Sequence, residues 1–307
     1  MENSWRIIEN REEFRTREGE WNLLLEDSGV DSVFLTFEWV LSWLETLGLN
    51  RKLLVVRGEG KGWKGFFPLC LKERSFPGGK LRTVSFIGDP ESDRCDFLIS
   101  GNRGKALAAF LDFCRTRPFG ADLLSLKQIP AGSPTARVLK RLLPGSGLRY
   151  RYRVCDRAPV IILPGSWGEY LGTLSSSFRK KLRKYFLAAE KSGGVRLEER
   201  PFTPRSWKTI LGLSRRSEKQ RRGIAFFSPP GREEFARLLL ERFSAAGRLG
   251  LSFLLLDNRP IAYDLGFRYR KKNWSYESSF DRERAADNPG HLLLALMIQA
   301  AIKRGER

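Results

Sequence analysis

The chain holds a single histidine, four cysteines and no CxxC pair among 307 residues. His291 alone cannot furnish a zinc constellation, and Cys70, Cys95, Cys114 and Cys155 are too scattered for a metal knuckle or a redox motif. No metal is therefore expected, and the cysteines read as reduced, mostly buried thiols of a cytoplasmic protein. No apolar run follows Met1, and none reaches the ~18 residues that a membrane-spanning helix needs. Neither a signal peptide nor a transmembrane segment is expected. There is no GxSxG elbow, the lone histidine has no triad around it, and Gly58-Glu-Gly-Lys-Gly62 is not a GxxxxGK[ST] phosphate loop. Acidic residues are also short, 35 against 55 lysines and arginines, which leaves a net charge of +20.

What is present points to folded α/β structure. Hydrophobic residues make up 41% of the chain and aromatics 12%, enough for two domains with ordinary cores. The excess charge gathers in Arg179-Lys-Lys-Leu-Arg-Lys184 and Arg215-Arg-Ser-Glu-Lys-Gln-Arg-Arg222. Arg179, Lys180, Arg183 and Arg221 are candidate contacts for a polyanion such as tRNA, an anionic membrane surface or a phosphorylated substrate. Charge runs are more often solvated helix faces.

In the N-terminal half, Trp39, Trp43 and Leu47 recur every four residues and predict an amphipathic helix. Leu53–Val56, Gly65–Leu71 and Leu81–Ile87 read as strands, with Pro68 demoting the second to an edge or bulged strand. A polar loop, Gly88–Asp93, precedes a short extended stretch at Asp96–Ile99. Lys105–Arg117 reads as a helix, Leu123–Leu126 as a strand, and Ser133 as the cap of a helix through Leu143. A second unit begins near Pro159, giving domains at 1–157 and 158–307. In it, Ser166 and Ser177 read as helix caps, Val195–Leu197 as a strand, and Ser206–Arg222 and Pro230–Gly247 as helices.

The last stretch is the most informative. Leu251–Leu256 is an apolar strand closed by Asp257-Asn258-Arg259-Pro260. Ile261, Tyr263, Leu265, Phe267 and Tyr269 then alternate with Ala262, Asp264, Gly266, Arg268 and Arg270, the mark of a half-buried strand. Asn273–Asp281 repeats the alternation. With Lys271-Lys272 as the turn, Tyr269 lies opposite Trp274, Phe267 opposite Tyr276, Asp264 opposite Ser279 and Glu277 opposite Gly266. Asn288-Pro289-Gly290 opens a helix over His291–Lys303, a terminus suited to an anion.

Several motifs, in order over most of the chain, carry a family likeness. They are the aromatic Phe34–Trp43, the Gly65–Leu71 strand with Pro68-Leu69, the polar loop Gly88–Leu98 with Asp93 and Asp96, the basic Leu174–Lys184 and Asn288-Pro-Gly290 before Leu292-Leu-Leu294. Together they resemble the GNAT acyltransferase superfamily, in particular its CelD-like branch linked to cellulose and exopolysaccharide synthesis, which is related to the FemAB transferases. The resemblance implies two tandem GNAT-like α/β units with mixed, mostly antiparallel sheets flanked by helices. It implies acetyl-CoA or another acyl-CoA as donor, and a sugar, sugar-nucleotide or amine as the small-molecule acceptor in cell-surface polysaccharide synthesis. In the family a Phe-Asp-Phe-Leu-Arg-Gly type strand follows the last helix. Here the sequence stops at Gly305-Glu-Arg307, so the second unit is expected to lack its final strands, as a fragment or a truncated form.

Under that reading Asn288, Gly290, His291 and Leu292 bind the donor, with N–H groups offered by Gly290, His291, Leu292 and Leu293. Glu277 and Asp281 are the candidate proton acceptors, although a cross-strand ion pair of Glu277 with Arg268 is the plainer alternative. His291 is a third candidate, placed to touch a phosphate or to take a proton. Tyr263 and Tyr276 alternate onto the apolar face and read as core. Two competing functions stand beside the acyl-CoA reading: an aminoacyl-tRNA-dependent transferase of the FemAB kind, and a degenerate GNAT module that only binds. A cytoplasmic location follows from the composition, with attachment to a membrane surface through the basic helices as a variant.

Overall fold

Alternating apolar runs and Gly-rich turns build the first half around one sheet. A computed structural model describes residues 3–306 and divides them into two compact units, with the boundary between Ala158 and Pro159. Arg307 and its place as a terminus lie outside the described residues. In the first unit β1 (Ser4–Ile8) leads to α1 (Arg11–Arg15), α2 (Glu18–Asp27) and α3 (Phe37–Leu44). Then come β2 (Lys52–Gly60), β3 (Trp63–Phe76), β4 (Gly79–Phe86), β5 (Leu98–Gly101), α4 (Arg103–Arg115), β6 (Leu123–Ser125) and α5 (Pro134–Leu142). The sheet runs β1-β2-β3-β4-β6, with β5 pairing β3. Among the described residues only the β4–β6 pair of this sheet is parallel.

Pro68 does not mark an edge. β3 is central, paired with β2 along one side and with β5 and then β4 along the other. The Pro68 carbonyl accepts from Ile87 N on that second side, so its missing N–H faces the same way. That is where β3 exchanges β5, paired through Phe66, for β4, paired from Leu69, and no ladder bond is lost. The core beneath is aromatic: Phe67 stacks on Phe110 with centroids 4.3 Å apart, beside Phe97 and Trp5. The polar loop is tied down by two indoles. Trp39 donates to Ser92 Oγ at 2.9 Å and Trp43 to Glu91 Oε2 at 2.9 Å.

The second unit contains α6 (Trp167–Thr173), α7 (Ser176–Lys191), β7 (Val195–Glu199), α8 (Pro204–Arg215), α9 (Glu218–Arg221) and α10 (Arg232–Ala245). β8 (Leu249–Leu256), β9 (Arg259–Tyr269), β10 (Lys272–Phe280) and α11 (Pro289–Lys303) complete it, with a 3₁₀ turn at Arg282–Asp287. The sheet is antiparallel throughout, in the order β10-β9-β8-β7. The fold is thus α/β, with two mixed or antiparallel sheets flanked by helices, and α11 is the last element among the described residues.

Local capping corrects some boundaries. Ser166 caps α6, but α7 is capped by Ser175, whose Oγ accepts from Phe178 N, and not by Ser177. The single helix expected over Ser206–Arg222 is two. Thr203 opens α8, and after a break Ser217 caps α9, its hydroxyl accepting from Gln220 N. That break brings Lys219 onto the sheet.

Candidate active site

β9 is not half-buried. Every residue from Ile261 to Phe267 is buried, because β9 is central and both of its faces are covered. One face carries Leu254, Leu256 and Ala262 against Leu292, Leu293 and Met297 of α11. The other carries Phe267 against Phe243 of α10 and Tyr276 of β10, with α8 packed alongside. Asp264 falls on the α11 face, two residues from Ala262, and Tyr263 on the α8 face.

The hairpin register differs from the expected one. The turn is Arg270-Lys271, both with positive φ (50° and 60°), which suits a two-residue turn matched to strand twist. Phe267 therefore lies opposite Trp274, not Tyr276. A bulge then interrupts the register between Ser275 and Glu277 and reverses the alternation. Beyond it Glu277 lies opposite Leu265, Ser278 opposite Asp264 and Ser279 opposite Tyr263. Glu277 and Ser279 are consequently buried, whereas Ser275 and Ser278 are exposed.

Two carboxyl groups result, on opposite faces. Glu277 meets Lys219, whose Nζ lies 3.0 and 3.1 Å from the two carboxylate oxygens and 2.7 Å from Ser278 O. Its partner is thus Lys219 from α9 and not Arg268, which pairs with Glu199. Burial raises the Glu277 carboxyl above its usual range, and the Lys219 charge opposes this. Burial also raises the neighbouring Tyr263 phenol, with the Glu277 charge adding to it. The Ser214 hydroxyl opposes that rise.

Asp264 is the residue that sequence reasoning passed over. It is 3% exposed. Ser275 Oγ donates a hydrogen bond to its Oδ2, while its buried Oδ1 has no hydrogen-bond partner among the described residues. Burial pushes the carboxyl up to about 7, against the hydrogen bond of Ser275 and with a contribution from the Glu277 charge. The one signal in sequence was an aspartate inside an apolar strand, a residue type seldom buried without a purpose.

Asp281 is committed elsewhere. Its Oδ1 accepts from Glu283 N at 3.1 Å to cap the 3₁₀ turn, and its Oδ2 accepts from Arg216 Nε at 2.6 Å. At the start of α11, Asn288 adopts a left-handed conformation (φ 54°) and its carbonyl accepts from both His291 N and Leu292 N. Two of the four expected backbone donors are thereby used internally, and Leu293, the fifth residue of α11, belongs to the helix's own ladder. Gly290 N–H remains, on an exposed residue where an added Cβ would come no closer than 3.8 Å to Phe280. His291 is exposed and lies between Phe178 and Tyr185 of α7, with centroids at 5.7 and 5.5 Å.

α7 therefore meets this helix end through Phe178 and Tyr185. Arg179 is occupied, its guanidinium donating to the carbonyls of Leu171, Gly172 and Leu174 at the end of α6. Arg221 is likewise held by Glu218 within α9. Lys180, Lys181, Arg183 and Lys184 are exposed and have no carboxylate partner among the described residues. One N–H and a 15-residue helix dipole suit a diphosphate or similar anion, and the α7 cations add a positive field from the neighbouring helix. From Phe280 beside Gly290 back to Ser275, five residues of β10 including the bulge span four ladder positions, Ala262 to Gly266, or roughly 13 Å at ~3.3 Å each.

Comparison with known proteins bears on this unit most directly. Residues 176–307 match the family model described as an acetyltransferase (GNAT) domain. No curated protein sequence matches the chain. Among solved structures it is similar to FemX, with a TM-score of 0.60 and 13% identity, over 99% of this chain and 86% of that one. It is similar to a conserved protein of unknown function from Bacteroides thetaiotaomicron VPI-5482 (TM-score 0.53, 12% identity, 97% and 86% coverage). A third likeness is to the C-terminal domain of a protein described as a lysylphosphatidylglycerol synthetase from Agrobacterium fabrum (TM-score 0.50, 12% identity, 94% and 76% coverage). At such identities these structures show the fold alone. Residues 176–307 are thus similar to a GNAT-type acetyltransferase domain.

Proposed function

We propose that this protein is an acyltransferase whose second unit uses Asp264 and Ser275 to remove a proton from the acceptor. The observation that carries the reading is the Ser275–Asp264 pair: a buried carboxyl pushed up to about 7, joined to an exposed hydroxyl in a domain of acetyltransferase type. A base whose proton affinity lies near neutral pH is well matched to general-base work. The acceptor N–H or O–H gives its proton to Ser275 Oγ while Ser275 passes its own to Asp264 Oδ2. The pair ends with a neutral Asp264 and an unchanged Ser275. Glu277, held by Lys219, is the less suitable acceptor because both its oxygens are already engaged.

Gly290 N–H and the α11 dipole would hold the diphosphate of an acyl-CoA, with the exposed α7 cations adding a positive field. The thioester supplies an acyl group that is already activated, so alignment of the acceptor accounts for much of the acceleration. Five residues of β10 separate that anion site from Ser275, which suits an elongated donor lying along the exposed side of the strand. The CelD-like motifs favour a sugar, sugar-nucleotide or amine as acceptor.

The test separates binding from chemistry. Acetyl-CoA at about 100 times its Kd should stabilise the protein by ~2.7 kcal/mol. Gly290→Glu, which places a negative charge at the helix end, should abolish that shift. Asp264→Asn should keep it and lose thiol release from acetyl-CoA in the presence of an amine or sugar acceptor. Unchanged affinity in Gly290→Glu would remove the site. A second reading, an aminoacyl-tRNA donor of the FemAB kind, is favoured by the net charge of +20 and the unpaired cations of α7. A stabilising shift with tRNA and none with acetyl-CoA would select it.

A further inference from the structure

Between α5 and α6 the chain runs Arg149-Tyr-Arg-Tyr-Arg-Val-Cys-Asp-Arg-Ala-Pro-Val-Ile-Ile162, and none of these residues lies in a helix or strand. Of the fourteen exposed large hydrophobic side chains among the described residues, six fall in this stretch: Tyr150, Tyr152, Val154, Val160, Ile161 and Ile162. Ile162 is 86% exposed and Val154 73%, values that no packing inside the protein explains. Arg149, Arg151, Arg153 and Arg157 are interleaved with them. All four are exposed and have no carboxylate partner among the described residues. The single acid in the stretch is Asp156.

We infer that this segment is a docking surface for an anionic phospholipid bilayer, which it engages at the headgroup level without crossing. Each residue type has a place there. Aliphatic tips leave water for the acyl boundary, tyrosine rings settle at the interface with the hydroxyl outward, and arginines reach phosphate oxygens while their stems stay apolar. Polyanionic RNA would reward the arginines and could stack on the tyrosines, but it offers nothing to Val154, Val160, Ile161 and Ile162. The aliphatic cluster thus decides between the two partners. The same charge that attracts RNA attracts a negatively charged leaflet, and the attraction falls off within a Debye length.

The experiment uses the full chain with sedimented vesicles of phosphatidylcholine alone or mixed equally with phosphatidylglycerol. Cys155 is exposed while Cys70 and Cys95 are buried and Cys114 is half-buried, so a polarity-sensitive maleimide dye on Cys155 reports locally. Binding to the mixed vesicles should exceed binding to phosphatidylcholine at least tenfold, with a blue shift of the dye. Ile161→Ser/Ile162→Ser should lower it by about tenfold or more. Leu49→Ser, at another exposed leucine, should not change it. The basic α7 could draw the protein to vesicles by itself, so the dye and the double variant are the deciding readouts. Vesicle binding with an unshifted dye, equal binding by a double variant of unaltered melting temperature, or binding to RNA with none to vesicles would each overturn the proposal.

Discussion

Replacing Asp264 by asparagine should make the protein more stable at alkaline pH, and the size of the gain should itself depend on pH. An ordinary aspartate titrates at 3.8, whereas burial holds Asp264 at about 7 in the fold. The folded state therefore binds this proton more tightly than the unfolded chain. Stability from this group is fully present below pH 3.8 and is lost as pH rises through about 7. At ~1.4 kcal/mol per tenfold difference in proton affinity, the gap amounts to roughly 4 kcal/mol once Asp264 is fully ionised. Relaxation around a charged carboxylate will reduce this to about 2–4 kcal/mol. Asparagine keeps an acceptor for Ser275 Oγ and never ionises, so Asp264→Asn should match wild type near pH 4 and exceed it by that amount at pH 9. For a unit of this size the gain corresponds to roughly 5–10 °C in Tm. Thermal and urea unfolding of both proteins at several pH values would measure it. A stability difference that stays constant from pH 4 to pH 9 would refute the assignment of a raised proton affinity, and with it the choice of Asp264 as base.

Lys219→Met should cost about 1–2 kcal/mol at pH 8, less than a fully buried pair because the Lys219 side chain is 42% exposed. The loss should shrink in acid, where Glu277, raised by burial, becomes neutral early; a loss that grew in acid would contradict this. Gly101→Ala should destabilise the first unit by at least ~2 kcal/mol in urea unfolding. It would force φ +83° on alanine and bring a Cβ to 2.4 Å from the Gly62 carbonyl oxygen.

Much of the second unit was legible because its signals are local. Period-two alternation marked β9, and Asn-Pro-Gly marked the start of α11. What stayed hidden depends on distant or geometric facts. Burial of both faces of β9 requires knowing that it is central. The turn at Arg270-Lys271 uses residues that rarely advertise positive φ, so the register was read two positions out. The pairing of Glu277 with Lys219 spans 58 residues and depends on the break between α8 and α9. Pro68 misled for a related reason, since a proline can occupy a central strand where the neighbouring strand changes. Asp264 was visible as a letter, but its proton affinity comes from burial that no local pattern reports.

The irregularity after Ser275 has a consequence for the history of this strand. Before it, β10 points Trp274 and Tyr276 at aromatic neighbours; after it, the same face receives Glu277 and Ser279. Loss of the extra residue, Tyr276, would leave Ser275 opposite Gly266 and Glu277 opposite Leu265 in an unbroken ladder, so Glu277 would keep its place beside Lys219 while the strand lost its local bend and the Tyr276 ring against Phe226 and Phe267. A relative with a one-residue gap between Ser275 and Glu277 should therefore keep this arrangement of charge, whereas a gap elsewhere between the turn and Glu277 would exchange the inward and outward sets and turn Glu277 away from Lys219.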